Sequence, residues 1–238
     1  MQPVLDVRGL SAGYGETTVI RGIDLQVYAE ETVVLIGPNG HGKTTFLRTI
    51  SGLIQPSAGE MWLDGVRIDR LRAEKLGRLG LVHIPQGDHL FPELTVEENL
   101  LMGAFPRASW RRRREALAHA YELFPQLGER RAQRARTLSG GERRQVALAR
   151  GLMRDARLLL IDEPSLGLAP VLIDAVYAAV RRVAEAGTTI LLVEENFNYI
   201  GEIAARVCVL EMGRIVRTGS LDELLADRTI AESYLGVL

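Results

Sequence analysis

Three short, uninterrupted apolar runs constrain the fold of this chain more than any other feature of its sequence. They occupy residues 32–36, 158–161 and 189–193, and each ends at a glycine or an acidic residue. Because they lack polar alternation, they are typical of strands that are buried on both faces of a parallel sheet. The amphipathic stretches 43–51 and 172–184 predict helices that would supply the crossover connections of such a sheet. The predicted fold class is therefore α/β.

Two further regions predict additions to this core. Residues 4–8 and 23–27 alternate apolar and polar side chains, so we expect a small antiparallel sheet near the N-terminus. Residues 92–154 indicate helices with almost no strand signal. Within them, residues 107–136 hold nine Arg and three Glu, in a chain whose formal net charge is −1. We interpret this region as an inserted helical subdomain.

The first apolar run leads into Gly-Pro-Asn-Gly-His-Gly-Lys-Thr at 37–44, a full match to G-x-x-x-x-G-K-[ST]. Such glycines let backbone N–H groups turn toward phosphates, the lysine neutralises the terminal phosphates, and the hydroxyl holds Mg²⁺. A glycine-rich turn without a ligand is the alternative, but the order strand, loop, helix favours a nucleotide site. The candidate nucleotide-binding residues are Gly37, Asn39, Gly40, Gly42, Lys43, Thr44 and Thr45, and Thr44 is also a candidate magnesium ligand.

Two carboxylates, Asp162 and Glu163, follow the second apolar run. An aspartate at the carboxyl end of a strand beside a phosphate loop can reach Mg²⁺, and a neighbouring glutamate can orient or deprotonate the attacking water. Acidic residues are also common at solvated strand ends, yet the phosphate loop favours the catalytic interpretation. We expect Asp162 to bind Mg²⁺ and Glu163 to be the general base, with Lys43 as a second catalytic residue.

A helix start with an unusual composition lies at residues 138–142, Leu-Ser-Gly-Gly-Glu. Ser139 and Glu142 have the spacing of a capping box, which requires no ligand. However, Ser139, Gly140 and Gly141 at a helix N-terminus also offer an anion site. Because the chain already has one phosphate loop far upstream, a second phosphate site suggests that two chains share each nucleotide.

Taken together, these motifs resemble the ATP-binding subunits of ABC transporters, over essentially the whole chain. The phosphate loop, Gln86 within residues 83–87, the segment 138–142 and the segment 158–163 follow in that family's order. The resemblance implies that Tyr14 stacks on adenine. It also implies that Gln86 takes part in catalysis as a contact of Mg²⁺ and relays the nucleotide state to membrane subunits. ATP and Mg²⁺ are the implied cofactors, and the implied activity is that of an ATPase.

The same resemblance predicts a P-loop (RecA-like) architecture in one ABC ATPase domain, residues 1–238. Residues 1–86 and 155–238 would form the nucleotide-binding core together with its antiparallel part. Residues 87–154 would form the helical subdomain that carries the signature segment. ATP would close a head-to-tail dimer, and hydrolysis would reopen it.

Several strings look like the subunit of branched-chain amino-acid importers within that family. They lie at residues 91–100, 102–104, 121–125, 163–170 and 233–236. That resemblance implies an energy-coupling importer subunit for branched-chain amino acids. Urea transport, lipopolysaccharide transport and a soluble ABC ATPase acting on DNA or ribosomes are the alternatives. Gln86 is shared with urea importer subunits, whereas the long insertions or second cassette of soluble ABC ATPases do not fit into 238 residues.

Glu195, just after the third apolar run, departs from the family pattern, which has a switch histidine at this position. A histidine there donates a hydrogen bond to the γ-phosphate. A carboxylate about 4 Å from that phosphate would instead repel it, at a cost of up to about 4 kcal/mol for an effective dielectric of about 20. We expect Glu195 to turn away, to be protonated or to be bridged by a cation. If the chain pairs with a paralogue, the two nucleotide sites should then be unequal.

Charge and cysteine content bear on partners and location. The net charge of −1 disfavours binding to nucleic acid, and the single Cys208 fits a reducing compartment. No signal-like segment opens the sequence, and no apolar run approaches the roughly 20 residues of a membrane span. We expect a cytoplasmic protein, peripheral on the inner face of the membrane. Its expected partners are a second ATP-binding subunit (itself or a paralogue), integral permease subunits and, indirectly, a periplasmic or extracellular solute-binding protein.

Two remaining features favour no separate function. The four histidines, at positions 41, 83, 89 and 119, lack metal-ligand spacing and are interpreted as surface or loop residues. The arginine run at 111–114 could contact nucleic acid, but consecutive helical residues point in all directions, so a solvated face is favoured.

Overall fold

The computed structural model describes residues 2–105 and 107–226 of the chain. The strands within these ranges are β1 Leu5–Tyr14, β2 Thr17–Val27, β3 Thr32–Ile36, β4 Ala58–Leu63, β5 Val66–Arg67, β6 Leu81–Ile84, β7 Leu158–Asp162, β8 Ile190–Glu194, β9 Arg206–Glu211 and β10 Arg214–Gly219. The α-helices are α1 Lys43–Ile50, α2 Ala73–Arg78, α3 Val96–Gly103, α4 Arg107–Arg111, α5 Arg113–Leu123, α6 Pro125–Glu129, α7 Gly140–Gly151, α8 Pro170–Glu185 and α9 Leu221–Ala226.

A six-stranded sheet with the order β10-β9-β3-β8-β7-β6 forms the centre of the molecule. All its neighbouring strands pair in parallel except β10, which runs antiparallel to β9 at one edge. The three apolar runs form β3, β7 and β8, and every residue of these strands is buried. The α/β prediction is therefore confirmed.

The central strand β3 divides the core between the two faces of this sheet. Side chains alternate across a strand, so Val33 and Leu35 pack into a cluster with α1 and the N-terminal strands. Val34 and Ile36 pack on the other face, with α7 and α8. Because both faces are covered by apolar side chains, the strand can carry an uninterrupted apolar sequence.

The predicted antiparallel sheet is present, with the order β2-β1-β4-β5. β1 and β2 pair from Leu5 opposite Val27 to Tyr14 opposite Thr17, so both strands extend beyond the predicted segments. The pairing contains three register shifts. Such irregularities interrupt the apolar and polar alternation, which explains why the sequence indicated only the regular ends of the two strands.

The segment between Pro92 and Arg154 is helical, as predicted, and contains α3 to α7. Thr95 opens α3 with a capping box to Glu98. In the part of this segment that the structure describes, β pairing is limited to one isolated bridge between Thr95 and Arg134. The boundaries at 87 and 154 stay a prediction, and the string 233–236 lies outside the described residues.

One prediction about the histidines is wrong. His83 lies in strand β6, where its Nδ1 shares a hydrogen bond of 3.1 Å with the Ser51 hydroxyl. Burial, assisted by the charge of Arg48, lowers the pKa of His83 to about 4. The four-residue strand β6 has too few side chains to establish a periodicity, so this strand and its histidine were not predicted.

None of the helices in the described ranges combines the length and apolar character required to cross a bilayer.

Candidate nucleotide site

The loop between β3 and α1 adopts a backbone path that depends on its glycines. Gly40 and Gly42 have φ of 80° and 107°, a region that favours glycine. At Gly37, an added Cβ would lie 2.2 Å from the carbonyl oxygen of Leu210 in β9. The loop therefore lies directly against the end of the parallel sheet, and α1 begins at Lys43.

Lys43 is almost completely buried, with 3% of its surface exposed. Its ammonium group donates to the carbonyl oxygens of Gly37 at 2.7 Å and Pro38 at 3.2 Å. It also pairs with Glu163 Oε1 at 3.1 Å. The predicted phosphate-binding cation and the predicted general base are thus in direct contact.

The candidate magnesium ligands lie beside this pair. The Thr44 hydroxyl donates to Asp162 Oδ1 at 3.1 Å, and the Gln86 amide donates to Glu163 Oε2 at 3.1 Å. Burial raises the pKa of Asp162 to about 6, and the charge of Glu163 adds to this effect while the Thr44 hydrogen bond opposes it. The site therefore brings two carboxylates, a hydroxyl and an amide together around one lysine.

Glu163 has an unusual backbone conformation, with φ of 43°. This left-handed region is uncommon for residues other than glycine and is found where surrounding structure holds it. The turn that follows is closed by two backbone bonds, from Leu166 N to Glu163 O and from Leu168 N to Ser165 O. The chain thus leaves β7 through a sharp turn that presents the Glu163 side chain to Lys43 and Gln86.

Glu195 is exposed, and its carboxylate accepts a hydrogen bond of 2.8 Å from the Asn39 side-chain amide. Asn39 belongs to the glycine-rich loop, so the carboxylate stays at the edge of that loop. The sequence led us to expect reorientation, protonation or a bridging cation. In the structure, the Glu195 carboxylate is instead stabilised by a hydrogen bond from the neutral Asn39 amide.

Tyr14 and Thr45 complete the predicted nucleotide-binding residues of this region. Tyr14 ends β1 with 49% of its surface exposed, and its hydroxyl accepts a bond of 3.3 Å from Arg48 of α1. Arg48 lies in α1, the helix that directly follows the phosphate loop. The exposed ring of Tyr14 is therefore available near the loop. Thr45 is buried in the first turn of α1.

Ser139, Gly140 and Gly141 form the start of α7. Within residues 2–105 and 107–226, none of the three is hydrogen-bonded to the glycine-rich loop. Ser139 and Glu142 form the predicted capping box, with bonds of 2.8 and 3.3 Å. An added Cβ at Gly140 would lie 3.2 Å from the side chain of Leu168, just before α8, and one at Gly141 would lie 3.1 Å from that of Leu172 in the first turn of α8. The glycines therefore have a packing role in addition to the predicted phosphate contact.

Four buried polar residues around the site were not identified from the sequence. They are Arg144, Ser165, Tyr177 and Glu194. Glu194 was interpreted only as the end of an apolar strand, and Tyr177 as part of an amphipathic helix. Neither residue lies in a contiguous motif, so only the folded chain brings them together.

We expect Asp162→Asn to raise the melting temperature of the nucleotide-free chain. The folded state binds the Asp162 proton more tightly than the unfolded chain, whose pKa is near 3.8. Ionised Asp162 therefore lowers the free energy of unfolding by its full amount above about pH 6, and this penalty disappears below about pH 4, where Asp162 is protonated in both states. Each 1 kcal/mol gained should raise the melting temperature by roughly 2–4 °C. Thermal melts at pH 4, 6 and 8 test this, and an equal shift at all three values would contradict it.

Comparisons with known proteins support the assignment that this geometry suggests. The family described as ABC transporter matches residues 20–166. The high-affinity branched-chain amino acid transport ATP-binding protein BraG of Pseudomonas aeruginosa is 38% identical over 229 residues, which cover 95% of this chain and 97% of that protein. BraF of the same organism, described in the same terms, is 32% identical and covers 99% and 98% of the two chains.

A solved structure described as the ADP conformation of an ATP-binding cassette of an ABC transporter superposes with a TM-score of 0.85. It is 25% identical in sequence, and the match covers the whole of both chains. The fold of the chain, the order of its motifs and its relatives thus agree. The chain belongs to the ABC transporter family, as an ATP-binding subunit.

Proposed function

We propose that this chain hydrolyses ATP to drive an importer of branched-chain amino acids. The observation that carries the ATPase assignment is the direct contact of Lys43 with Glu163, next to the Thr44–Asp162 bond and within reach of Gln86. These are the residue types that phosphoryl transfer to water requires: a cation, oxygen ligands for a metal, and a carboxylate base.

Lys43 and the backbone N–H groups of the loop would bind the ATP phosphates. In the nucleotide-free chain, the Lys43 ammonium is satisfied by two loop carbonyls and by Glu163. Phosphate oxygens would compete for the same donors. When Lys43 turns toward them, the Glu163 carboxylate loses its cationic partner and becomes free to accept a proton from water.

The residues present fit a magnesium ion. Thr44, Gln86 and Asp162 offer only oxygen atoms as ligands, which is the donor set that Mg²⁺ prefers. No cluster of three His, Cys, Asp or Glu side chains is positioned to hold a metal in the described part of the chain. Mg²⁺ would therefore take its remaining ligands from water and from the nucleotide, and its charge would stabilise Asp162 as a carboxylate.

We further propose that the nucleotide lies between two chains in a head-to-tail dimer. Ser139 and the first turn of α7 would contact the phosphates bound by the partner, consistent with the lack of hydrogen bonds from Ser139 to this chain's own loop in the described residues. Tyr14 would stack on adenine through its exposed ring.

A groove next to Gln86 supports attachment to permease subunits at the inner face of the membrane. Its volume is about 460 Å³, and its lining includes the exposed side chains of Phe91, Met102 and Phe105. Arg144 of α7 donates to the Gly87 carbonyl at 2.7 Å. Gly87 directly follows Gln86, so a partner bound in the groove would lie next to a segment that is hydrogen-bonded to α7 and carries Gln86.

The solute assignment is supported by BraG and BraF, which both bear it by name. The existence of two such proteins in one organism also favours a heterodimer. Reconstitution in vesicles with candidate permease and solute-binding proteins tests the assignment. We expect ATP-dependent uptake of labelled leucine that excess isoleucine suppresses and urea does not. Uptake of urea but not leucine would overturn it, and complexes with Lys43→Ala provide the inactive control.

We expect Glu195→His to accelerate hydrolysis at this chain's own site. The substitution removes a carboxylate from the edge of the phosphate loop and introduces a hydrogen-bond donor for the γ-phosphate. In a heterodimer, the partner's catalytic carboxylate is first disabled, and the residual ATPase rate is then measured with and without Glu195→His. Glu195→Gln is the matched control, because it removes the charge but keeps an acceptor for Asn39. A rate in the histidine variant that equals or falls below the original would contradict the asymmetric-site hypothesis.

A further inference from the structure

A buried carboxylate that the proposed chemistry does not use lies behind Glu163. Glu194 is the last residue of β8, and 2% of its surface is exposed. Its Oε1 accepts a hydrogen bond from the Ser165 hydroxyl. Its Oε2 and the hydroxyl of Tyr177 are both buried without a hydrogen-bond partner among the described residues. A carboxylate in such surroundings is costly unless it is neutral or well bonded, so its place calls for an explanation.

Charged and polar groups from several elements act on Glu194. Burial raises the pKa of Glu194 to about 7; the hydrogen bond from Ser165 lowers it, the charge of Glu163 raises it, and the charge of Lys43 lowers it. The charge of Glu194 in turn acts on Arg144 of α7. Glu194 therefore belongs electrostatically to the site, although it lies beneath the surface that would face a nucleotide.

The bond to Ser165 connects Glu194 to the turn that presents Glu163. Ser165 lies two residues after Glu163 and is itself buried. In the sheet, Asp162 of β7 is paired with Val193 of β8, so the two acidic strand ends lie side by side. The Ser165–Glu194 bond thus fastens the sharp turn after β7 to the neighbouring strand, next to the left-handed residue Glu163.

We propose that Glu194 is a positioning residue, which accepts the Ser165 hydroxyl and thereby holds the turn after β7 so that Glu163 is aimed at the attacking water. The proposal rests on the proposed role of Glu163 as general base. Glu194 itself touches neither nucleotide nor water in this scheme.

Amide hydrogen exchange of the nucleotide-free chain tests the structural half of this proposal. The amides of Leu166 and Leu168 are the donors that close the turn. We expect them to exchange faster in Ser165→Ala and in Glu194→Leu, which both remove the side-chain bond. Glu194→Gln retains an acceptor and should keep the original protection. Unchanged exchange in both Ser165→Ala and Glu194→Leu would overturn the proposal without involving catalysis.

Steady-state ATPase kinetics of the full chain with its dimer partner test the functional half. Ser165→Ala and Glu194→Leu should each lower kcat about ten-fold, since a small misplacement of a catalytic group is costly. The KM for ATP should stay within about two-fold, because no phosphate contact is altered, and Glu194→Gln should restore most of the rate. Since both substitutions remove the same bond, the double variant should be no slower than either single variant.

Three results would overturn the inference. One is a kcat of Ser165→Ala within two-fold of the original, a result that does not require the leucine variant to fold. Another is a double variant slowed by the product of the single effects. The third is a rate loss of similar size in Ser57→Ala, which removes a hydroxyl bonded to Ser11 in the antiparallel sheet. If Glu163→Gln hydrolyses ATP at the original rate, the proposed function of Glu163 fails instead, and the exchange experiment still decides whether Glu194 holds the turn.

Discussion

Replacing Glu163 by glutamine is expected to leave ATP binding intact while slowing hydrolysis by a factor of about 100 or more, the usual scale for a lost general base. The amide keeps the size of the side chain and can still contact Gln86, so the site should not collapse. It cannot accept a proton from water at neutral pH. Binding and chemistry should therefore separate in this variant.

The trapped state gives a second readout for the same variant. If hydrolysis is what reopens the dimer, Glu163→Gln should form a stable dimer with its partner subunit when ATP is added, seen as a doubling of mass in light scattering. The dimer should not dissociate again as that of the original chain does. Glu185→Gln is the matched control, because it removes an exposed carboxylate at the end of α8. Hydrolysis at the original rate in Glu163→Gln would exclude this residue as the base and would move attention to Asp162.

The parts of the fold that could be predicted are those in which burial imposes a periodic or uninterrupted pattern. β3, β7 and β8 are covered on both faces, so their sequences are continuously apolar. β10 lies at a sheet edge and is mostly exposed, so it carries no such pattern. The short strands β5 and β6 are formed by pairing with neighbours that are distant in sequence or by a tight turn, which local periodicity does not report.

The candidate site divides in the same way. Residues 37–45 and the pair Asp162–Glu163 lie in contiguous motifs whose spacing reflects one loop or one strand end, and the sequence predicted their proximity. The contact between Asn39 and Glu195 joins residues 156 positions apart. The bond between Ser165 and Glu194 likewise depends on β7 and β8 being neighbours. Such pairs follow from sheet order, which the apolar runs alone do not determine.

Lys43→Ala is expected to abolish ATP binding at this chain's own site, with a loss of affinity of at least about 100-fold. Hydrogen bonds to charged groups contribute about 1.5–3 kcal/mol each, and a loss of about 2.7 kcal/mol corresponds to 100-fold. The shape of the loop should persist, because Gly37, Gly40 and Gly42 set its backbone. Titration with a fluorescent ATP analogue measures the affinity, and circular dichroism with a thermal melt verifies the fold.

The position of Lys43 in the structure makes this variant more informative than a loss of binding alone. Without its ammonium, Glu163 loses its ion-pair partner, and Asp162 and Glu194 lose a nearby positive charge that favours their ionised forms. We therefore expect a lower melting temperature at pH 8 that recovers as the pH falls and Asp162 and Glu194 become protonated. The matched control is Lys75→Ala, which removes the chain's other lysine from the exposed surface of α2. If Lys43→Ala and Lys75→Ala both bind ATP with the affinity of the original chain, the glycine-rich loop is not part of the nucleotide site.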